Sequence, residues 1–117
     1  QARAEERIRI LRPPDWLHVI QGQASPVRVS LFVSTDKLTM GSFVLLPGMT
    51  TDAETHPGDE FAFVVEGKAN VYLPGRTDWF ELNPRDGFFI PQDVPHRYAN
   101  TGDRPATILF CNAPKYR

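Results

Sequence analysis

The chain has 117 residues and 41% hydrophobic content, which suits one globular domain across residues 1–117 with a single core. Its 13 basic and 14 acidic residues leave a net charge of −1, so charge gives no footing for nucleic acid or an anionic membrane. No apolar run approaches the ~18 residues of a membrane span and no signal-peptide pattern is present, so no membrane partner is expected.

Residues 1–7 are polar and read as a flexible N-terminal segment. Arg3, Arg7, Arg9 and Arg12 form a basic bias that Glu5 and Glu6 interrupt, the pattern of a solvated edge or linker. The sequence starts at Gln1 rather than Met, leaving room for an upstream segment or domain. Residues 8–12 alternate well enough for a strand, which Pro13 and Pro14 stop by removing two backbone donors. Residues 16–20 read as a short strand in which His18 is partly buried.

A turn over 22–26 leads to a strand at 27–33. Val27, Val29, Leu31 and Val33 share one face there, opposite Arg28, Ser30 and Phe32. Arg28 is expected to face water rather than a pocket. Another strand over 40–46 ends at Pro47-Gly48. Residues 61–66 and 68–73 flank Gly67 and predict a hairpin or a sharply bent pair. Strands at 79–82, 87–90 and 106–111 follow, separated by turns rich in Asn, Asp, Pro and Gly.

Eleven prolines and eight glycines punctuate the chain too often for a helix. Many short strands with frequent turns predict an all-β sandwich or barrel. Phe61, Phe63, Trp79, Phe80, Phe88, Phe89 and Phe110 are expected to be mostly core. The lone cysteine, Cys111, excludes an intrachain disulfide and reads as a small buried hydrophobe; a reducing, cytoplasmic setting is expected.

Chemistry concentrates in two stretches. Glu54, His56 and Glu60 fall within seven residues, and His96 follows in a second stretch that ends at Asn100. Two imidazoles and a carboxylate with open positions suit non-haem Fe(II), and also Mn(II), Co(II), Ni(II) or Zn(II). Glu54 and His56 are two apart, so an extended chain points both to one face. Tyr98 stands in the same relation to His96, which would turn its hydroxyl toward a bound substrate. Ligands drawn from separate strands converge only if the sheet curls into a barrel.

These two stretches resemble the motifs of the cupin superfamily. Gly48, His56, Glu60 and Gly67 stand at the first motif's spacing, with Glu54 in place of its first histidine. Pro91, His96 and Asn100 fit the second, with Arg85 and Asp93 replacing its two glycines. The resemblance implies a double-stranded β-helix (jelly-roll) barrel with a divalent metal held by His56, Glu60, His96 and, as a fourth candidate, Glu54.

Glu54 in place of an imidazole adds hard oxygen, which favours Fe(II) or Mn(II). Glu54 could instead leave the metal free and act as an acid or base, with Tyr98 as a second proton-moving group. Asn100 is expected to tie down a turn through its amide, and the resemblance further implies a homodimer. The expected function is a metal-dependent enzyme (oxygenase, isomerase or lyase) acting on a small polar organic molecule.

A second expectation is a ligand-sensing module. Residues 56–60, 95–100 and 112–114 look similar to cupin domains that follow a helix-turn-helix in bacterial regulators, although no DNA-binding part is present here. A storage-type barrel without metal is a third reading, opposed by the intact His56, Glu60 and His96.

Overall fold

A computed structural model describes residues 8–114. The predicted flexible segment 1–7 lies outside the described residues. Apart from one short 3-10 turn, Pro13–Asp15, regular structure among the described residues is all strand. The strands are β1 (Leu17–Gln21), β2 (Val27–Ser34), β3 (Thr39–Leu45), β4 (Asp59–Glu66), β5 (Ala69–Tyr72), β6 (Trp79–Leu82), β7 (Gly87–Ile90), β8 (Arg97–Ala99) and β9 (Ala106–Ala113).

They form two antiparallel sheets, one of six strands in the order β1-β2-β3-β9-β4-β7 and one of three in the order β6-β5-β8. The architecture is the expected double-stranded β-helix. Its core is a set of alternating inward residues, as a period of two requires. Leu45, Val64, Val71 and Ile108 are fully buried at its centre, and Val27, Val29, Phe43 and Phe110 close one end. Each fully buried aliphatic side chain contributes roughly 1.5–3 kcal/mol.

Several expectations change. Residues 8–12 form no strand: Ile8 and Ile10 are exposed, and no strand among the described residues offers that segment a ladder. His18 lies on β1 but is exposed, its Nδ1 2.8 Å from Ser30 Oγ. Residues 61–66 and 68–73 do not pair as a hairpin. β4 bonds to β7 and β9, and β5 to β6 and β8, so the bend at Gly67 carries the chain from one sheet to the other. Gly67 has φ +76°, and a Cβ there would meet the Pro105 carbonyl oxygen at 2.3 Å, so both conformation and space demand glycine.

The aromatics depart furthest from expectation. Of the seven placed in the core, only Phe110 is buried; Phe63 and Phe88 are half-buried, and Phe61, Trp79, Phe80 and Phe89 are exposed. Strand alternation explains Phe61, Phe63 and Phe89. They occupy outward positions of β4 and β7, whose inward positions Glu60, Ala62, Val64 and Ile90 hold. Cys111 is half-buried rather than sealed, and burial pushes its thiol pKa up, with the Glu60 charge adding to the rise.

Candidate metal centre

The two motif stretches meet because their backbones are laced together. Residues 48–54 run antiparallel beside 96–100: Gly48 N donates to Asn100 O (2.9 Å), Thr51 N to Tyr98 O (2.8 Å) and Glu54 N to His96 O (2.9 Å). Asn100 N and His96 N donate back, to Met49 O at 2.9 Å and Glu54 O at 3.0 Å. Glu54 and His96 thus form a bridge pair, which sets the first motif beside the second. Asn100 anchors the far end as expected. Its Nδ2 donates to Leu45 O (2.8 Å) and Arg104 O (2.7 Å), and its Oδ1 accepts from Gly102 N (2.9 Å).

Arg85 and Asp93, the two residues that stand where the cupin motif has glycine, keep a glycine-like backbone, with φ of 76° and 64°. An L side chain is strained in that region, although Asp tolerates it better than most. The loop at Asp93 matters to the site, because Asp93 N donates to His56 O at 2.9 Å and holds the segment that carries His56.

His56, Glu60 and His96 are all buried, and their ligand atoms lie within 4.8 Å of one another. Glu60 Oε1 is 3.3 Å from His56 Nε2 and 3.6 Å from His96 Nε2. Those separations are long for hydrogen bonds. The first matches, and the second slightly exceeds, the spacing of two ligands on one ion, since metal–ligand bonds of about 2.1 Å put neighbouring ligand atoms roughly 3.0–3.4 Å apart. His96 Nδ1 is 3.0 Å from Val94 O, which makes Nδ1 the protonated nitrogen and leaves the Nε2 lone pair for a metal. A buried carboxylate also needs a cation or several donors to offset its desolvation. The three side chains therefore fit a divalent ion.

Glu54 falls outside this tight group. Its Oε1 is 3.5 Å from His56 Nε2, and its side chain keeps 37% exposure on the rim of the site. Tyr98 is buried among the residues that line the pocket, and its hydroxyl donates to Glu60 Oε2 at 2.5 Å.

Electrostatics follow from this packing. Burial pushes the Glu60 carboxyl up, but the adjacent His96 imidazole and its charge, with the Tyr98 and Asn112 bonds, overcome it and hold the pKa below the ordinary value. Burial pushes His96 down, while the adjacent Glu60 carboxylate and its charge, the Val94 carbonyl and the Glu54 charge together raise it. Tyr98 is raised well above the ordinary phenol by burial, then by Glu60 and Glu54.

The group opens into a pocket lined by apolar Val27, Val29, Phe43 and Phe110 and, at its polar side, by Gln21, Gly22, Thr51, Asp52 and Glu54. Asp52 shapes the mouth: its carboxylate accepts from Gln23 N and Ala24 N, and those backbone bonds lower its pKa. Arg28 is exposed and is not among the lining residues.

Asn112 is the residue sequence reasoning passed over. It is fully buried on β9, directly across from Glu60, and its Nδ2 donates to Glu60 Oε1 at 3.1 Å. The signal was present: Ala106, Ile108 and Phe110 point inward, so a period of two turns Asn112 inward as well.

Residues 41–112 match the family described as the cupin domain, and the chain belongs to that family. Its similarity extends to particular proteins. Polyketide synthase CurC of Streptomyces cyaneus is 40% identical over 76 residues, 64% of this chain and 48% of that protein. Protein SchB of Streptomyces halstedii is 37% identical over 76 residues, 64% of this chain and 54% of that one. The chain thus spans about half the length of these curated relatives.

Among solved structures, the polyketide cyclase RemF from Streptomyces resistomycificus superposes with a TM-score of 0.79 at 16% identity, covering 95% of this chain and 83% of its own. Fe(II)-HppE with the alternative substrate (S)-1-HPP gives a TM-score of 0.79 at 21% identity, covering 92% of this chain and 60% of its own. Both likenesses are of fold.

Proposed function

We propose that this cupin is a metal-dependent enzyme that closes a ring in a polyketide-type substrate, a small molecule rich in carbonyl groups. The observation that carries the reading is the buried His56–Glu60–His96 group at the polar side of a largely apolar pocket, with Glu54 free of the tight cluster on its rim. Similarity to polyketide synthase CurC supplies the substrate class.

His56 Nε2, His96 Nε2 and Glu60 Oε1 would hold the divalent ion; two imidazoles and one carboxylate with open positions suit Fe(II), with Mn(II), Zn(II), Co(II) or Ni(II) as the competing occupants. The bound ion supplies Lewis acidity to a substrate oxygen. Glu54 acts as the base: it takes a proton from the carbon between two carbonyls. That carbon attacks a carbonyl further along the same molecule, so a C–H bond breaks, a C–C bond forms, and the new oxygen takes up the proton. Loss of water then gives the ring, with no oxidant needed. Val27, Val29, Phe43 and Phe110 exclude water and hold the carbon skeleton.

Glu54→Gln separates the roles. The variant should keep wild-type metal content by elemental analysis while losing at least tenfold in the rate of ring closure of a linear chain bearing four carbonyls on alternate carbons, in line with removal of a general base. Loss of metal together with activity would return Glu54 to the ligand set. Absence of metal from the wild-type protein, whatever ion is offered, would end the reading.

A homodimer is part of the proposal. Phe61, Phe89 and Val65 are exposed on the outer side of β4 and β7, where Phe61 and Phe89 are direct cross-strand neighbours, and a second copy would cover them.

A further inference from the structure

Glu60 is held by more than its metal-facing neighbours. Its two oxygens have different surroundings. Oε1 faces His56 Nε2, His96 Nε2 and Asn112 Nδ2, whereas Oε2 accepts the Tyr98 hydroxyl. The two donors come from different sheets: Asn112 from β9 of the six-stranded sheet, directly across the ladder from Glu60, and Tyr98 from β8 of the three-stranded sheet.

Both donors are themselves fixed. The Tyr98 ring packs edge-on to Phe43 (5.2 Å between centroids) and to His96 (5.7 Å). Its backbone is pinned to residue 51, with Thr51 N donating to Tyr98 O at 2.8 Å and Tyr98 N donating to Thr51 Oγ1 at 3.0 Å. Asn112 is 0% exposed on a central strand, so its amide cannot swing out to water. Its Oδ1 has no partner, so what fixes this side chain among polar groups is the bond to Glu60.

A carboxylate can give a metal one oxygen or both. We propose that Tyr98 and Asn112 are positioning residues that clamp Glu60 so that it offers the ion Oε1 alone. This rests on the metal reading above, and it assigns Tyr98 a task other than moving a proton to or from substrate. Two-oxygen binding would need Oε2 to leave a buried phenol, stranding that hydroxyl without a partner, which costs about 1–3 kcal/mol. The clamp therefore keeps a position on the ion that the second carboxylate oxygen would otherwise fill, and that position is open to a substrate oxygen. Hydrogen-bonded partners of this kind orient metal ligands in general, and losing one lowers metal affinity about 10–100-fold.

Co(II) is the probe, because its visible absorption bands respond to the number and kind of its ligands. Wild type, Tyr98→Phe and Asn112→Leu are titrated with Co(II) after circular dichroism has shown that each is folded. Phe keeps the ring and Leu keeps about the volume of Asn, so each removes the donor with little loss of packing. The expected result is a changed Co(II) band pattern in Tyr98→Phe, a smaller change in Asn112→Leu, and an affinity loss of about tenfold or more in the first. A merely structural role would shift the melting temperature and leave the bands of the folded, loaded protein alone.

Identical bands and affinity in folded variants would overturn the clamp while leaving the metal site in place. Should Tyr98→Phe fail to fold, Asn112→Leu decides by the same two measures. A wild-type chain that takes up no Co(II) would remove the metal reading itself and the clamp with it.

Discussion

The two faces of β4 carry opposite kinds of residue. Inward it presents Glu60, Ala62 and Val64; outward it presents Phe61, Phe63 and Val65, with Phe61 49% and Val65 46% exposed. An acid faces the interior and large hydrophobic side chains face out. The inner face tolerates its charge because His56, His96, Tyr98 and Asn112 all converge on Glu60, so the carboxylate is offset atom by atom. The outer face has no such internal explanation, and the proposed second copy of the chain is what would cover its aromatics. Polarity in this strand follows the site and the proposed partner rather than the inside–outside rule.

The sharpest way to break this comparison is at the inner face. His56→Ala or His96→Ala should reduce bound metal to near background by elemental analysis, because each takes away one of only three ligands in the tight group. Normal stoichiometry in both would mean that the polar face of β4 is a structural network and nothing more.

A smaller effect separates core from surface. Ile108 is 0% exposed beside β4, and Ile108→Ala should cost about 2–5 kcal/mol in denaturant unfolding. Phe61→Ser with Phe89→Ser removes far larger side chains from the outer face. It should leave the fold of each protomer intact by circular dichroism while converting a dimer to a monomer by light scattering. A wild-type monomer, or a double variant that stays dimeric, would strip the outer face of the role given to it.

Sequence reasoning read the site better than it read the aromatics, and the reason is physical. His56, Glu60 and His96 sit at cupin-motif spacing, so residue type and interval together carry the information that brings them into one group. Exposed phenylalanines carry no such mark: a strand's two faces are defined only by what packs on each, and a partner chain leaves no trace in periodicity. The strand expected at 8–12 failed similarly, since its alternation was adequate but no strand among the described residues pairs with it.

Arg85 and Asp93 are an intermediate case. Their departure from the motif was legible, but only the backbone reveals that both keep the left-handed conformation of the glycines they replace. Asn112 was legible by alternation alone and lacked a motif to draw attention to it.

The smallest predicted effect concerns pH, and its sign depends on whether metal is bound. In the metal-free protein His96 is raised above its ordinary 6.5, so its contribution to stability is complete below pH 6.5 and is lost as pH rises through the raised value. Glu60 is lowered from 4.5, so its contribution is present above pH 4.5 and is lost as pH falls through the lowered value. The metal-free protein should therefore be most stable between these limits. Metal binding requires His96 without its proton on Nε2, so the loaded protein cannot gain stability from that proton. Its melting temperature should instead climb as pH rises towards 6.5 and then level off. Metal affinity should rise by up to about tenfold, ~1.4 kcal/mol, for each pH unit until the raised His96 value is passed. Melting curves with and without Co(II) from pH 5 to 8 check both slopes. Parallel curves would show that His96 does not exchange its proton for the ion, and the inner face of β4 would then owe its polarity to hydrogen bonding alone.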